Sequence, residues 1–303
     1  MSFRLLELDC NEFLPNFVSF LWVSLILSCI GAVIIPEVRS WHRYGKLRGR
    51  EETEKGTRSF LDKLTVPKQL FCLFYIEGMI WGAILLFRRT YLIVNVLENT
   101  VCKPNSAQQL FLGEFHSLPL VLFILQCIRR LEEEYFAPPS SARMHIAGFA
   151  VGAMFYALVP LSLLEIRDNK GKLLQISLNP SLVLLLIGVL IFIWGSIHQT
   201  KCHTILHEMK FASDRYGLPT GDWFKYSSSP HYLAEIVIYF GLFLIGLSLS
   251  LDDHSFPRNL LLCLLFTICN LSITAQRTHD WYLQKFKEDY SRLNRWRIIP
   301  FVY

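Results

Sequence analysis

Seven stretches of this chain stay apolar for about the 20 residues that a helix needs to cross a bilayer. They fall at 13–35, 69–87, 110–127, 145–164, 180–197, 232–251 and 256–275. A soluble domain would confine its apolar residues to one face of each element. Unbroken runs of this length instead predict helices surrounded by lipid, each satisfying its own backbone. The predicted fold class is therefore all-α integral membrane, a seven-transmembrane-helix bundle forming one domain over 1–303. The mean hydropathy of +0.34 agrees. Glu114, His116 and Pro119 interrupt the third run, which predicts a kinked or inward-facing helix there. The first run is too long for a signal-peptide core and lacks a basic leader, so it is read as a retained span.

Basic residues predict the orientation. Of the 30 Lys and Arg, 22 lie after the first span, in the loops after the third and fifth, and in the tail. The positive-inside rule then makes the N-terminus lumenal and the C-terminus cytosolic. The net charge of +5 has this origin. No basic stripe interleaved with aromatic residues is present, so no nucleic-acid partner is expected. The segment 36–68, centred on Glu51-Glu52-Thr53-Glu54-Lys55, reads as a cytosolic loop. No internal repeat and no Cys-x-x-Cys occur, and a monomer is expected.

Polar residues concentrate between the fifth and sixth runs. His198-Gln199-Thr200-Lys201-Cys202-His203-Thr204-Ile205-Leu206-His207 continues the fifth run as a helix. Residues four apart share a face, which pairs His198 with Cys202 and His203 with His207. The two pairs lie on different faces and no third or fourth ligand follows, so no metal site is predicted. His, Gln and Lys donors suit phosphate and amide groups. The plain alternative is a helix end wetted at the interface. Further on, Ser229 and Pro230 read as cap and first residue of the sixth helix. His231 and Glu235 then share a face in its first turns. A carboxylate in lipid is costly unless paired or hydrogen-bonded. Its functional reading competes with an internal latch between spans.

The tail holds a third cluster. His279 and Tyr282 lie three apart on the continuation of the seventh run, and a phenol placed there can donate a proton. An aromatic belt with snorkelling charges is the alternative. The last residues, 295–303, are too apolar for a free tail and are expected to dock. Arg129-Arg130 and Glu77 are lesser candidates. No Gly-x-Gly-x-x-Gly, P-loop or Gly-x-Ser-x-Gly is present, so a bound nucleotide would be held without a Rossmann unit.

These residues carry a resemblance. Arg43-Tyr44-Gly45-Lys46, Val66-Pro67-Lys68 with Phe74-Tyr75, Arg129-Arg130-Leu131, His198-Gln199-x-Lys201-Cys202-His203 and Gly221-Asp222-Trp223-Phe224 through Glu235 resemble the steroid 5α-reductase family. His279-x-x-Tyr282 and Pro300-Phe301 fit as well. Within that family, His-Gln-x-Lys-Cys-His and Gly-Asp-Trp-Phe are similar to the polyprenol (polyprenal) reductase branch. The resemblance spans most of the chain and is densest in a C-terminal reductase region, 195–303.

The resemblance implies a multi-pass protein of the endoplasmic reticulum membrane that holds NADPH from the cytosolic side. It also implies reduction of a double bond conjugated to a carbonyl, here in the α-isoprene unit of a polyprenal or polyprenol on the way to dolichol. Carried over residue by residue, it implies cofactor contacts at Gln199, His203, Lys210 and His231, and it sets Glu235 and Tyr282 around the nicotinamide end, where they are expected to be catalytic. Lys201, His207 and His279 are expected as further cofactor contacts, and Arg130 and Trp223 as substrate contacts. Two departures stand out. The steroid branch's carbonyl-binding tyrosine aligns with Cys127 or Ile128, and the usual Tyr-Pro-x-x-Arg is here Tyr290-Ser291-Arg292-Leu293-Asn294-Arg295. An aldehyde suits hydride chemistry better than an allylic alcohol, because its developing enolate can be stabilised by donors. A steroid enone reductase and a lipid transporter or scaffold are the competing functions.

Overall fold

The computed structural model describes residues 2–35, 64–98, 117–164, 180–212, 217–251 and 256–302. Seven long helices run through them. They are α1 (Ser2–Ile34), α2 (Phe71–Glu98), α3 (Leu118–Tyr135), α4 (Ile146–Leu164), α5 (Pro180–Ala212), α6 (Pro230–Ser250) and α7 (Arg258–Ser291). All but α3 are long and apolar enough to cross a membrane. Most of the segment 36–68 lies outside the described residues; its end forms β1 (Thr65–Pro67). This strand pairs antiparallel with β2 (Arg143–His145), Val66 opposite Met144. The ribbon ties the entry of α2 to the entry of α4.

Helix α3 departs from the hydropathy reading. The run 110–127 starts outside the described residues, and the helix continues past it to Tyr135. Pro119 stands in the first turn, where its missing N–H breaks no helical bond, so it starts the helix instead of kinking it. One face of α3 buries Leu120, Phe123, Gln126 and Cys127. The charged residues of its last turns face α5.

Contacts fix the helix directions. Tyr75 meets Arg130 and Gly78 meets Cys127, so α2 and α3 are antiparallel. Gln126 meets Gln199 and Arg130 meets His203, so α3 and α5 run in the same direction. Helices α1 and α7 are also parallel. Ser19 Oγ donates to Asn259 Oδ1 at 2.6 Å near one end, and Arg277 Nη2 donates to the Ala32 carbonyl at 3.4 Å near the other.

Glycines bring the backbones of α5 and α6 close together. A Cβ on Gly241 would stand 2.8 Å from the Gly188 carbonyl oxygen and from the Phe192 nitrogen. One on Gly195 would stand 3.0 Å from the Ala234 carbonyl oxygen. Small residues that let backbones meet are the usual means of helix association in lipid, where apolar burial gives no net drive. The same closeness lets Gln199 reach Glu235 one turn further on. Elsewhere the core is apolar and aromatic. Trp22 lies 5.7 Å from both Phe155 and Phe266, and its indole N–H donates to Ser162 Oγ at 2.9 Å.

Candidate active site

A polar network joins four helices at the end of the bundle where α3 and α5 finish. Gln126, Arg129, Arg130 and Glu133 come from α3, because spacings of three and four put them on one face. Helix α5 supplies Gln199, Thr200 and His203 by the same spacing, α6 supplies Glu235 and α2 supplies Tyr75. Gln126 Nε2 donates to Gln199 Oε1 at 3.0 Å. Gln199 in turn donates through Nε2 to the Glu235 carboxylate. Arg129 donates to the Gln126 and Gln199 side-chain oxygens and to Thr200 Oγ1. Arg130 donates to Tyr75 Oη at 2.9 Å and pairs with Glu133. Its Nη1 also lies 2.5 Å from His203 Nδ1.

Glu133 is the counter-charge of this network. It accepts from Arg129, Arg130 and Thr200, and its Oε2 lies 2.6 Å from His203 Nδ1. Burial opposes its charge. The His203 hydrogen bond and the Arg130 and Arg129 guanidinium groups outweigh that and hold its carboxyl well below the usual carboxylate range.

The remaining residues singled out in the sequence are placed around this network. The His231 ring lies 5.6 Å from the His203 ring, and His207 stacks over His203 at 6.4 Å. Gln199, His203, His231 and Glu235 therefore gather with Arg130. Lys201 is exposed on the far side of α5. Lys210 donates to the Pro138 and Pro139 carbonyls at 3.1 and 2.5 Å, closing the turn after α3. Trp223 lies in a separate aromatic stack, 4.2 Å from His198 and 4.9 Å from Trp194. Beneath it, His198 Nδ1 lies 2.9 Å from Asp222, and the Cys202 thiol donates to the same carboxylate at 3.6 Å. His198 and Cys202 share a face, and that face holds the Gly221-Asp222-Trp223 turn. Gly221, at φ +98°, takes a conformation open chiefly to glycine.

His279 and Tyr282 belong to a second group, at the junction of α7 with the tail. Ser228 Oγ lies 2.7 Å from His279 Nδ1, bonds Tyr290 Oη, and donates to the Trp296 carbonyl at 2.9 Å. Tyr282 is buried and stacks on Tyr290 at 5.2 Å. Ser228 stands three residues before His231, so one short segment connects this group to the first. The Ser229 hydroxyl makes no capping bond; its backbone carbonyl opens α6 by accepting from the Tyr232 N–H at 3.0 Å. The tail docks as expected, since Trp296 N–H donates to the Tyr226 carbonyl at 2.9 Å and Ile298 is fully buried.

Two functional candidates escaped the sequence reading. Glu133 could have been found from its spacing of four and three to Arg129 and Arg130. Arg295 is only 8% exposed, and its Nε and Nη1 have no hydrogen-bond partner among the described residues. A buried guanidinium with open donors suits an anion. Its alternation with Trp296 in a docked tail was the available signal. Among the described residues, no three His, Cys, Asp or Glu are placed to hold a metal ion.

Membrane-length helices that close around a charged, hydrogen-bonded centre define a multi-pass membrane enzyme. Residues 175–303 match the family model described as 3-oxo-5-alpha-steroid 4-dehydrogenase. The chain is 34% identical to polyprenal reductase 1 of Oryza sativa subsp. indica, over 93% of this chain and 95% of that one. It is 31% identical to polyprenal reductase 2 of Arabidopsis thaliana, over 80% and 83%. It is 29% identical to the Homo sapiens polyprenal reductase, over 86% and 84%. The chain belongs to the steroid 5α-reductase family, among its polyprenal reductases, and is an oxidoreductase.

Proposed function

We propose that this protein reduces the α-isoprene double bond of polyprenal with NADPH, a step of dolichol synthesis that supports protein N-glycosylation. The observation that carries the reading is the Arg130–Glu133–His203–Gln199–Glu235 network. It presents amide, imidazole and guanidinium donors where α3 and α5 finish and α6 begins, in a chain whose relatives across plants and mammals are named polyprenal reductases.

The residues present fit a reduced dinucleotide. Arg295 has open donors in a buried setting, as a phosphate or pyrophosphate requires. Gln199, His203, His207 and His231 supply neutral donors and acceptors suited to amide and ribose groups. Lys210, His279 and Tyr282 complete the cofactor side of the reading, with Tyr282 and Glu235 at the nicotinamide end. Lys201, on the exposed face, serves as a charge at the cytosolic mouth. NADPH, when bound, supplies the hydride. Gln199 orients Glu235 through its hydrogen bond, and Tyr75 and Glu133 fix the Arg130 guanidinium for the substrate. Trp223 flanks the entry of the prenyl chain.

Seven spans and a lumenal N-terminus belong to the same proposal, with α3 as the third span. Support comes from the helix directions: α1 and α7 are parallel, as are α3 and α5, which an alternating series of seven requires and a series of six forbids. The endoplasmic reticulum is the proposed membrane.

The test is product analysis by mass spectrometry after incubating purified protein with NADPH and, separately, polyprenal, polyprenol and a steroid enone. Saturation of polyprenal at the α-isoprene unit is the expected result. Turnover of the steroid enone alone overturns the substrate, and no NADPH oxidation with any of the three overturns the reductase reading.

A further inference from the structure

Three phenols, on α2, α4 and α6, stand on the helices that pack around the polar network. Tyr156 and Tyr75 meet beside Cys127. Cys127 Sγ and the Tyr156 ring both crowd Gly78, each 2.9 Å from where a Cβ would stand. Tyr75 meets the Tyr156 ring edge-on at 5.4 Å. Tyr239 enters from α6, one turn beyond Glu235, with its ring edge-on to Phe155 at 5.4 Å.

The three phenols differ in what holds them. Tyr75 Oη already accepts from Arg130. The Tyr156 side chain is half-buried. Tyr239 is 3% exposed, and its hydroxyl has no hydrogen-bond partner among the described residues. Its ring and the Tyr156 ring flank Phe155, at 5.4 and 5.3 Å. Buried polar groups are almost always bonded, and an open one costs stability. An open phenol one turn from the Glu235 carboxylate, in an otherwise apolar shell, has the form of a donor waiting for an acceptor.

We propose that Tyr239 is a catalytic residue whose O–H donates a hydrogen bond to the carbonyl oxygen of the substrate aldehyde. This rests on the reductase reading above. As hydride adds to the β-carbon, the C=C π bond breaks and negative charge moves to the carbonyl oxygen, where Tyr239 holds it. The α-carbon then takes a proton from water and the carbonyl reforms. The substrate gains two electrons and two hydrogens, and the reduced nicotinamide is oxidised. A donor aimed at developing oxyanion charge is worth about a hundredfold in rate.

Tyr239→Phe tests this, because it removes one oxygen and leaves the ring. Wild type and variant are purified in detergent and assayed with NADPH and polyprenal, and their melting temperatures are measured. The expected result is a fall in kcat of about a hundredfold. The KM for NADPH stays within twofold and the melting temperature is unchanged or higher, since a buried unbonded hydroxyl has been deleted. A kcat within threefold of wild type overturns the assignment. So does a loss of kcat accompanied by a melting temperature several degrees lower, which marks a structural role. A wild-type protein that oxidises no NADPH with polyprenal overturns the reductase reading itself. An active wild type with an equally active variant overturns Tyr239 alone.

Discussion

Two regions of this bundle are held together differently. Around Trp22, the helices α1, α4 and α7 meet through aromatic faces, and the indole N–H is satisfied by Ser162. Around Arg130, the helices α2, α3, α5 and α6 meet through charges that each need several partners. Dispersion and close packing stabilise the first region at little cost. The second must overcome the desolvation of every charge it contains, and an apolar cluster of the same volume would hold the helices as well.

The largest effect expected from this contrast is on stability, in the apolar region. Trp22→Ala should cost about 3–5 kcal/mol through the lost contacts and the cavity left behind. Turnover per folded molecule should hold, and thermal denaturation alongside specific activity checks both. A loss of turnover at intact stability would erase the distinction between the regions. Next comes Glu235→Gln, expected to lower kcat about a hundredfold while the melting temperature moves little. Steady-state kinetics with polyprenal measure it, and retained turnover would remove Glu235 from the chemistry. His203→Ala should raise the NADPH concentration needed for half-maximal rate about tenfold, the loss of one hydrogen-bonded contact. A titration of cofactor at saturating polyprenal reports it, and an unchanged constant would return His203 to a purely structural part in the network.

The smallest effect is a pH dependence. Glu133 has its folded-state pKa lowered, so its stabilising contribution is fully present above the ordinary glutamate value of about 4.3. That contribution is lost as pH falls toward the lowered folded value, because the unfolded chain binds the proton first. Melting temperature should therefore decline on acidification below about pH 5, and Glu133→Gln should flatten the decline. A variant with the same acid profile as wild type would place the acid sensitivity elsewhere.

How much of this was legible in the sequence follows from the same contrast. The apolar helices could be read directly, because lipid permits few alternatives to a helix of that length. Helix α3 could not be bounded that way. Arg129, Arg130 and Glu133 lie past the apolar run, on a helical extension whose charges meet Thr200 and His203, some 70 residues on. The shared faces of His198 with Cys202 and of His203 with His207 were readable from spacing, while Asp222 as the partner of the first pair was not. Arg295 was hidden because its burial depends on where the tail docks. Ser229 was readable as the entry of α6 and misread as a side-chain cap, since its own carbonyl does that work.

The parallel pairing of α1 with α7 restricts how the chain can be rewired. Their adjacent helices carry the start of one and the finish of the other to opposite extremities of the bundle. A circular permutant would need a linker as long as the bilayer is thick, and split fluorescent halves fused at the two extremities could not reassemble within one molecule.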